Sequence, residues 1–87
     1  MILSIIVPTY NEEKTIIKIL EKIKNNSSDF FKYEVIVIDD ASTDQSRKLL
    51  EDNKHLYDKL LINETNKGKG FSVKRGISSA SGTHVIF

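Results

Sequence analysis

Two adjacent carboxylates, Asp39 and Asp40, end an unbroken apolar run, Val35-Ile36-Val37-Ile38. Paired acids can share a proton, hold a cation or accept hydrogen bonds from a ligand, and their surroundings decide which. β-branched residues in so short a run suit a strand buried on both faces of a parallel sheet. Ser42 followed three residues later by Gln45 has the pattern of a capping box, which predicts a helix over residues 43–53. The acidic pair then lies at the carboxyl end of a buried strand, where open α/β sheets bind ligands. Two more segments carry chemistry. Pro8-Thr9-Tyr10-Asn11-Glu12 supplies an aromatic ring and a carboxylate, and Asn66-Lys67-Gly68-Lys69-Gly70 supplies two lysines among glycines. A ring stacks on a base, a carboxylate accepts from base or ribose, and lysines with backbone N–H groups hold phosphates. Each group also has a plainer reading that stays open: Tyr10 covering the sheet end, Asn11 and Glu12 serving a helix start, the Lys-Gly segment a solvated turn.

The elements that must position these residues alternate along the chain. Residues 3–7 read as a strand closed by Pro8. In 12–24, Ile16, Leu20 and Ile23 recur at helical spacing, with Ile19 widening the apolar face. After a polar loop, 33–38 form the second strand, and the helix behind it is poor in apolar residues (Leu49, Leu50). Residues 59–62 form a short third strand. A helix starts near Lys69 with Val73, Ile77 and Ala80 on one face and Gly82 as its C-cap, and 84–87 open a fourth strand. The order β-α-β-α-β-α-β implies an α/β fold with an open parallel sheet, right-handed crossovers and a Rossmann-like, nucleotide-binding architecture. An apolar strand ending at Phe87 leads us to expect the N-terminal portion of a longer domain.

Composition narrows the function. With no cysteine there is no disulfide framework or thiolate metal site, and a reducing compartment fits. A net charge of +1 gives no overall electrostatic case for nucleic acid or membrane binding. The apolar start lacks a basic n-region and meets Pro8 too soon for a signal peptide. Gly68-Lys69-Gly70 is followed by Phe71-Ser72-Val73, so it is neither a dinucleotide fingerprint nor a phosphate loop. His55 and His84 lack metal-ligand spacing, and no Ser-His-Asp arrangement is evident.

The segments IIVPTYNE, VIVIDDASTD and NKGKGFSVKRGISSASG, in this order, resemble family 2 glycosyltransferases of the GT-A fold. They are most similar to the branch of dolichol-phosphate and polyprenyl-phosphate mannosyl- and glucosyltransferases. The resemblance implies a sheet order of 3-2-1-4 and transfer of a hexose from a UDP- or GDP-sugar, with inversion, to a polyprenyl phosphate. It places Pro8, Tyr10, Glu12, Asp39, Asp40, Lys69 and Gly70 around the nucleotide-sugar, Asp40 foremost at the base, with Arg75 a further candidate. It implies Mg²⁺ or Mn²⁺ on an Asp-x-Asp motif expected just after Phe87, hence no metal ligand and no catalytic group within these residues. A cytoplasmic protein, peripheral to a membrane, would suit a lipid-phosphate acceptor. Two rivals fit less well. A nucleotidyltransferase would carry a glycine- and arginine-rich loop after the first strand. A receiver-like module would end its third strand in Asp, where Ile62 leads into Asn63. An inactive truncated module is the remaining alternative.

Overall fold

A computed structural model describes residues 2–26, 32–82 and 84–86. Four strands, β1 (Ile2–Thr9), β2 (Lys32–Asp40), β3 (Lys59–Asn63) and β4 (His84–Ile86), alternate with helices α1 (Ile16–Asn25), α2 (Ser46–Glu51) and α3 (Lys69–Ser79). A single 3-10 turn, Lys54–Leu56, precedes β3. All described pairings are parallel, in the order β3-β2-β1-β4. Phe87, expected to extend the last strand, and residues 27–31 of the polar loop lie outside the described residues.

β2 is the central slab because Val35 to Ile38 are buried on both sides. Val35 and Val37 face α1 and α2, packing with Ile16, Leu20, Leu50 and Leu56. Ile36 and Ile38 face α3 and pack with Ile6. Each fully buried aliphatic side chain contributes about 1.5–3 kcal/mol over an exposed one. On α1 it is Ile17, not Ile19, that joins the core; Ile19 is exposed.

The strands run further than the sequence predicts. β1 continues through Pro8 to Thr9, in register with Ile38 and Asp39 of β2. β2 includes both acids, which pair in register with Ile62 and Asn63 of β3. Helices α1 and α2 start later than expected, whereas α3 starts at Lys69 as the sequence predicts. Asn11 takes a positive φ of 50°, and a turn closed by Thr15 and Ile16 N–H on the Glu12 carbonyl precedes α1. The capping box does not form. Ser42 Oγ instead accepts from the Asn11 N–H at 3.0 Å, and Asp44 Oδ1 accepts from the Ser46 N–H at the start of α2.

On α3, Ser72 and Gly76 are buried, whereas Ile77 of the expected apolar face is exposed. A Cβ on Gly76 would stand 2.6 Å from Ile6 Cγ2 and 2.7 Å from Ile38 Cδ1, so only glycine lets the helix approach this closely. Gly82 is not the C-cap: α3 ends into extended Ala80, and Gly82 backs onto Ser4. That return is tied down by Glu34. Its carboxylate accepts from Ser81 Oγ at 2.5 Å, Ser81 N–H at 2.8 Å and Ser4 Oγ at 2.8 Å, with Lys59 Nζ at 3.7 Å. The Ser81 hydroxyl leads these donors in overcoming the effect of burial, and the carboxyl is held at about 2, well below the usual carboxylate range.

Candidate functional site

The carboxyl ends of β1 and β2 and the start of α3 meet at one edge of the sheet. Between them lies a cavity of about 310 Å³ lined by Pro8, Thr9, Tyr10, Glu12, Asp40, Lys69 and Ser72. That is the small end of the range for ligand sites. Tyr10 is 47% exposed, its ring open at the rim.

Strand alternation sends the two acids to opposite faces. Asp40, on the α3 side, is buried and has both oxygens engaged. Oδ1 accepts from the Lys67 N–H at 2.7 Å and Asn63 Nδ2 at 2.9 Å; Oδ2 accepts from the Gly68 N–H at 2.9 Å. Burial pushes this carboxyl up, but the Lys67, Asn63 and Gly68 donors outweigh it and hold it below its ordinary value. Asn63 Nδ2 also donates to Ser72 Oγ at 3.0 Å, and Arg75 Nη1 donates to Asn63 Oδ1 and the Ile62 carbonyl. Asp40 thus clamps the loop that ends at Gly68, whose φ of +92° turns the chain into α3. The N–H groups of Lys69, Gly70 and Phe71 have no helical acceptor by virtue of position, and no acid stands in that first turn. These N–H groups stand beside Lys69 at the cavity edge, next to the Asp40 carboxylate.

Asp39 lies on the α1 side, directly across from Thr9 in the β1–β2 register. It is 1% exposed, and Oδ2 accepts from the Ser42 N–H at 3.3 Å. Oδ1 is buried with no partner. An oxygen left so costs about 1–3 kcal/mol and marks a place for a donor. Around it the two loops are braced together. Asn11 Oδ1 accepts from the Thr43 N–H at 2.8 Å and the Asp44 N–H at 3.3 Å. Glu12 N–H donates to Ser46 Oγ at 2.8 Å, Glu13 N–H to Asp44, and Gln45 N–H to Glu13. Ala41, with φ of 58°, makes the sharp turn that brings Ser42 back over Asp39.

Five of the residues singled out by sequence therefore line one cavity: Pro8, Tyr10, Glu12, Asp40 and Lys69. Asp39 does not line it but neighbours Thr9, which does. Gly70 stands one position behind Lys69, where a Cβ would meet nothing within 4 Å, so packing does not require glycine there. Arg75 braces β3 and stays out of the cavity. Sequence reasoning missed Asn11, Ser42, Asp44, Ser46, Asn63 and Ser72 as the framework. Their bonds mostly join residues about thirty positions apart, which leaves no local pattern. No three metal-ligating side chains gather among the described residues. With N–H donors on Asp40 and on one oxygen of Asp39, the acidic pair is not arranged as a divalent-metal site. No described helix is long and apolar enough to cross a membrane.

A family model described as glycosyl transferase family 2 matches residues 4–87. The chain belongs to that family. Dolichyl-phosphate beta-glucosyltransferase of Drosophila melanogaster is 38% identical over 95 residues, covering 98% of this chain and 29% of that protein. Among solved structures, S. aureus TarS 1-349 in complex with UDP-GlcNAc superposes with a TM-score of 0.86 at 34% identity, covering 100% of this chain and 26% of that one. A mannosyltransferase from Pyrobaculum calidifontis in complex with GDP-Man and Mn²⁺ superposes with a TM-score of 0.79 at 32% identity, covering 95% of this chain and 25% of that one. The chain thus spans under a third of the length of each, and its fold is that of these glycosyltransferases.

Proposed function

We propose that these residues are the donor-binding portion of a glycosyltransferase that moves a hexose from a UDP- or GDP-sugar to a polyprenyl or related lipid phosphate. The observation that carries this reading is the cavity that gathers Tyr10 and Glu12 from the loop after β1, Asp40 from the end of β2 and Lys69 from the start of α3, at the sheet's switch point. Tyr10 offers its open ring to the base. Asp40, which lines the cavity, accepts from it, since its three donors leave a lone pair on Oδ2. One remaining lone pair serves one N–H, which favours the single imide donor of uracil over the paired donors of guanine. Lys69 and the first-turn N–H groups of α3 meet the diphosphate and stabilise it as it departs.

In the transfer itself, a phosphate oxygen of the acceptor bonds to the anomeric carbon as the bond to the nucleoside diphosphate breaks, inverting that carbon. A lipid-phosphate acceptor is supported by the dolichyl-phosphate relative. Any Mg²⁺ or Mn²⁺ ligands, and the acceptor site, fall outside the described residues.

Calorimetric titration with UDP and GDP tests the reading. UDP binds weakly but measurably and more tightly than GDP. Asp40→Asn removes the acceptor charge and presents an N–H to the base, and weakens UDP by about tenfold, with urea unfolding alongside to report on the Lys67–Gly68 turn. An Asp40→Asn variant with unchanged affinity would refute the assignment, and no nucleotide binding at all would refute a preformed site.

A further inference from the structure

All twelve acidic residues lie at or before Glu64; from Thr65 onward the chain has four cations and no acid. The net charge of +1 hides this segregation. Of the four, Arg75 is committed to the end of β3 and Lys69 faces the cavity. Lys67 and Lys74 are exposed, and neither forms a direct ion pair among the described residues, although the Lys67 charge helps to hold Asp40 ionised. Because α3 buries Ser72 and Gly76, its outer side carries Phe71, Lys74 and Ile77 at successive i, i+3 positions. Phe71 is 49% and Ile77 42% exposed, and Lys67 Nζ sits 6.0 Å from the centroid of the Phe71 ring. The ridge begins within a turn of Lys69, at the rim of the cavity.

We propose that this ridge docks on an anionic phospholipid surface and seats the mouth of the donor cavity against it. The proposal rests on the donor reading for its purpose, since a lipid-phosphate acceptor is presented at such a surface. Lys67 and Lys74 meet lipid phosphates while Phe71 and Ile77 enter the boundary between headgroups and acyl chains. Ile77 separates this partner from nucleic acid, which offers phosphates and stacking faces but no apolar phase for an aliphatic side chain. With so few cations and two apolar anchors, attachment is weak, reversible and sensitive to salt.

Co-sedimentation of the full chain with vesicles tests it, comparing an equimolar phosphatidylglycerol and phosphatidylcholine mixture with phosphatidylcholine alone. Binding is expected to the anionic vesicles only and to fall as salt rises. Lys74→Glu and Ile77→Ser each lower it by about fivefold or more. Neither side chain lines the cavity, so both variants keep wild-type affinity for UDP, which is measured alongside. Equal sedimentation with the two vesicle types, no sedimentation with either, or binding indifferent to both substitutions overturns the proposal. So does preference for a single-stranded oligonucleotide over the anionic vesicles. Vesicle binding that persists in a protein with no affinity for nucleotide supports the ridge and overturns the donor reading instead.

Discussion

Replacing Glu34 by glutamine should remove the acid-sensitive part of this protein's stability. The carboxyl is held at about 2 in the folded chain against an ordinary value of 4.5. A group depressed in this way stabilises the fold fully above its unfolded value and loses that contribution as pH falls toward its folded value. At about 1.4 kcal/mol per pH unit, the interval corresponds to about 3 kcal/mol, lost between about pH 5 and pH 2. Its Ser81 and Lys59 partners are open to solvent, and screening brings that figure down to about 1–2 kcal/mol. The substituted amide would still face Ser81 but without charge, and its N–H groups would confront donors. Urea unfolding followed by circular dichroism, at about pH 6 and about pH 2.5, gives the pH-dependent loss for each protein. Wild type should lose about 1–2 kcal/mol more than Glu34→Gln over that interval, other carboxylates cancelling in the difference. Equal losses in the two proteins would show that the Ser4–Glu34–Ser81 cluster does not hold the carboxylate ionised, and the reasoning would fail.

Two further substitutions probe the close approaches that shape the site. Gly76→Ala drives a methyl group into Ile6 and Ile38 and should cost about 1–3 kcal/mol in urea unfolding; a neutral result would mean that α3 does not sit this close to the sheet. Ala41→Gly relieves a left-handed residue and should be neutral or stabilising by up to about 1 kcal/mol, where the same change in an ordinary exposed position destabilises; a clear loss of stability would contradict the turn.

The strands were legible because β-branched runs have one good home, and the alternation of elements fixed the parallel sheet. Their ends were not, since Pro8, Asp39 and Asp40 belong to strands by virtue of neighbours rather than by propensity. Ser42 and Gln45 show the same override in a helix start. Their capping pattern is real, but Asn11, some thirty residues upstream, competes for Ser42 and for the Thr43 and Asp44 N–H groups, and wins. The apolar face of α3 misled because the residues that matter there are small, Ser72 and Gly76, and close approach leaves no hydrophobic signature. Loop residues at the sheet edge were found because topology gathers them whatever their contacts. The division of labour between the acids was not, because alternation separates Asp39 from Asp40 without saying what either side contains.

The clamp on Asp40 has a consequence for how this chain tolerates change. Lys67 and Gly68 are held from a strand 27–28 residues upstream, so the cavity edge takes its position from β2 rather than from the intervening backbone. That stretch is itself pinned near both ends, by Ser46 on the Glu12 N–H and by Asp58 on the Val35 N–H. Between those pins, residues can be added or removed at exposed Asp52, Lys54 and His55, with Leu56 kept in the core and Lys69 left in place. Each doubling of such a loop costs only about 0.6 kcal/mol. Length variation is therefore directed to the α2–β3 passage, and the donor edge is insulated from it.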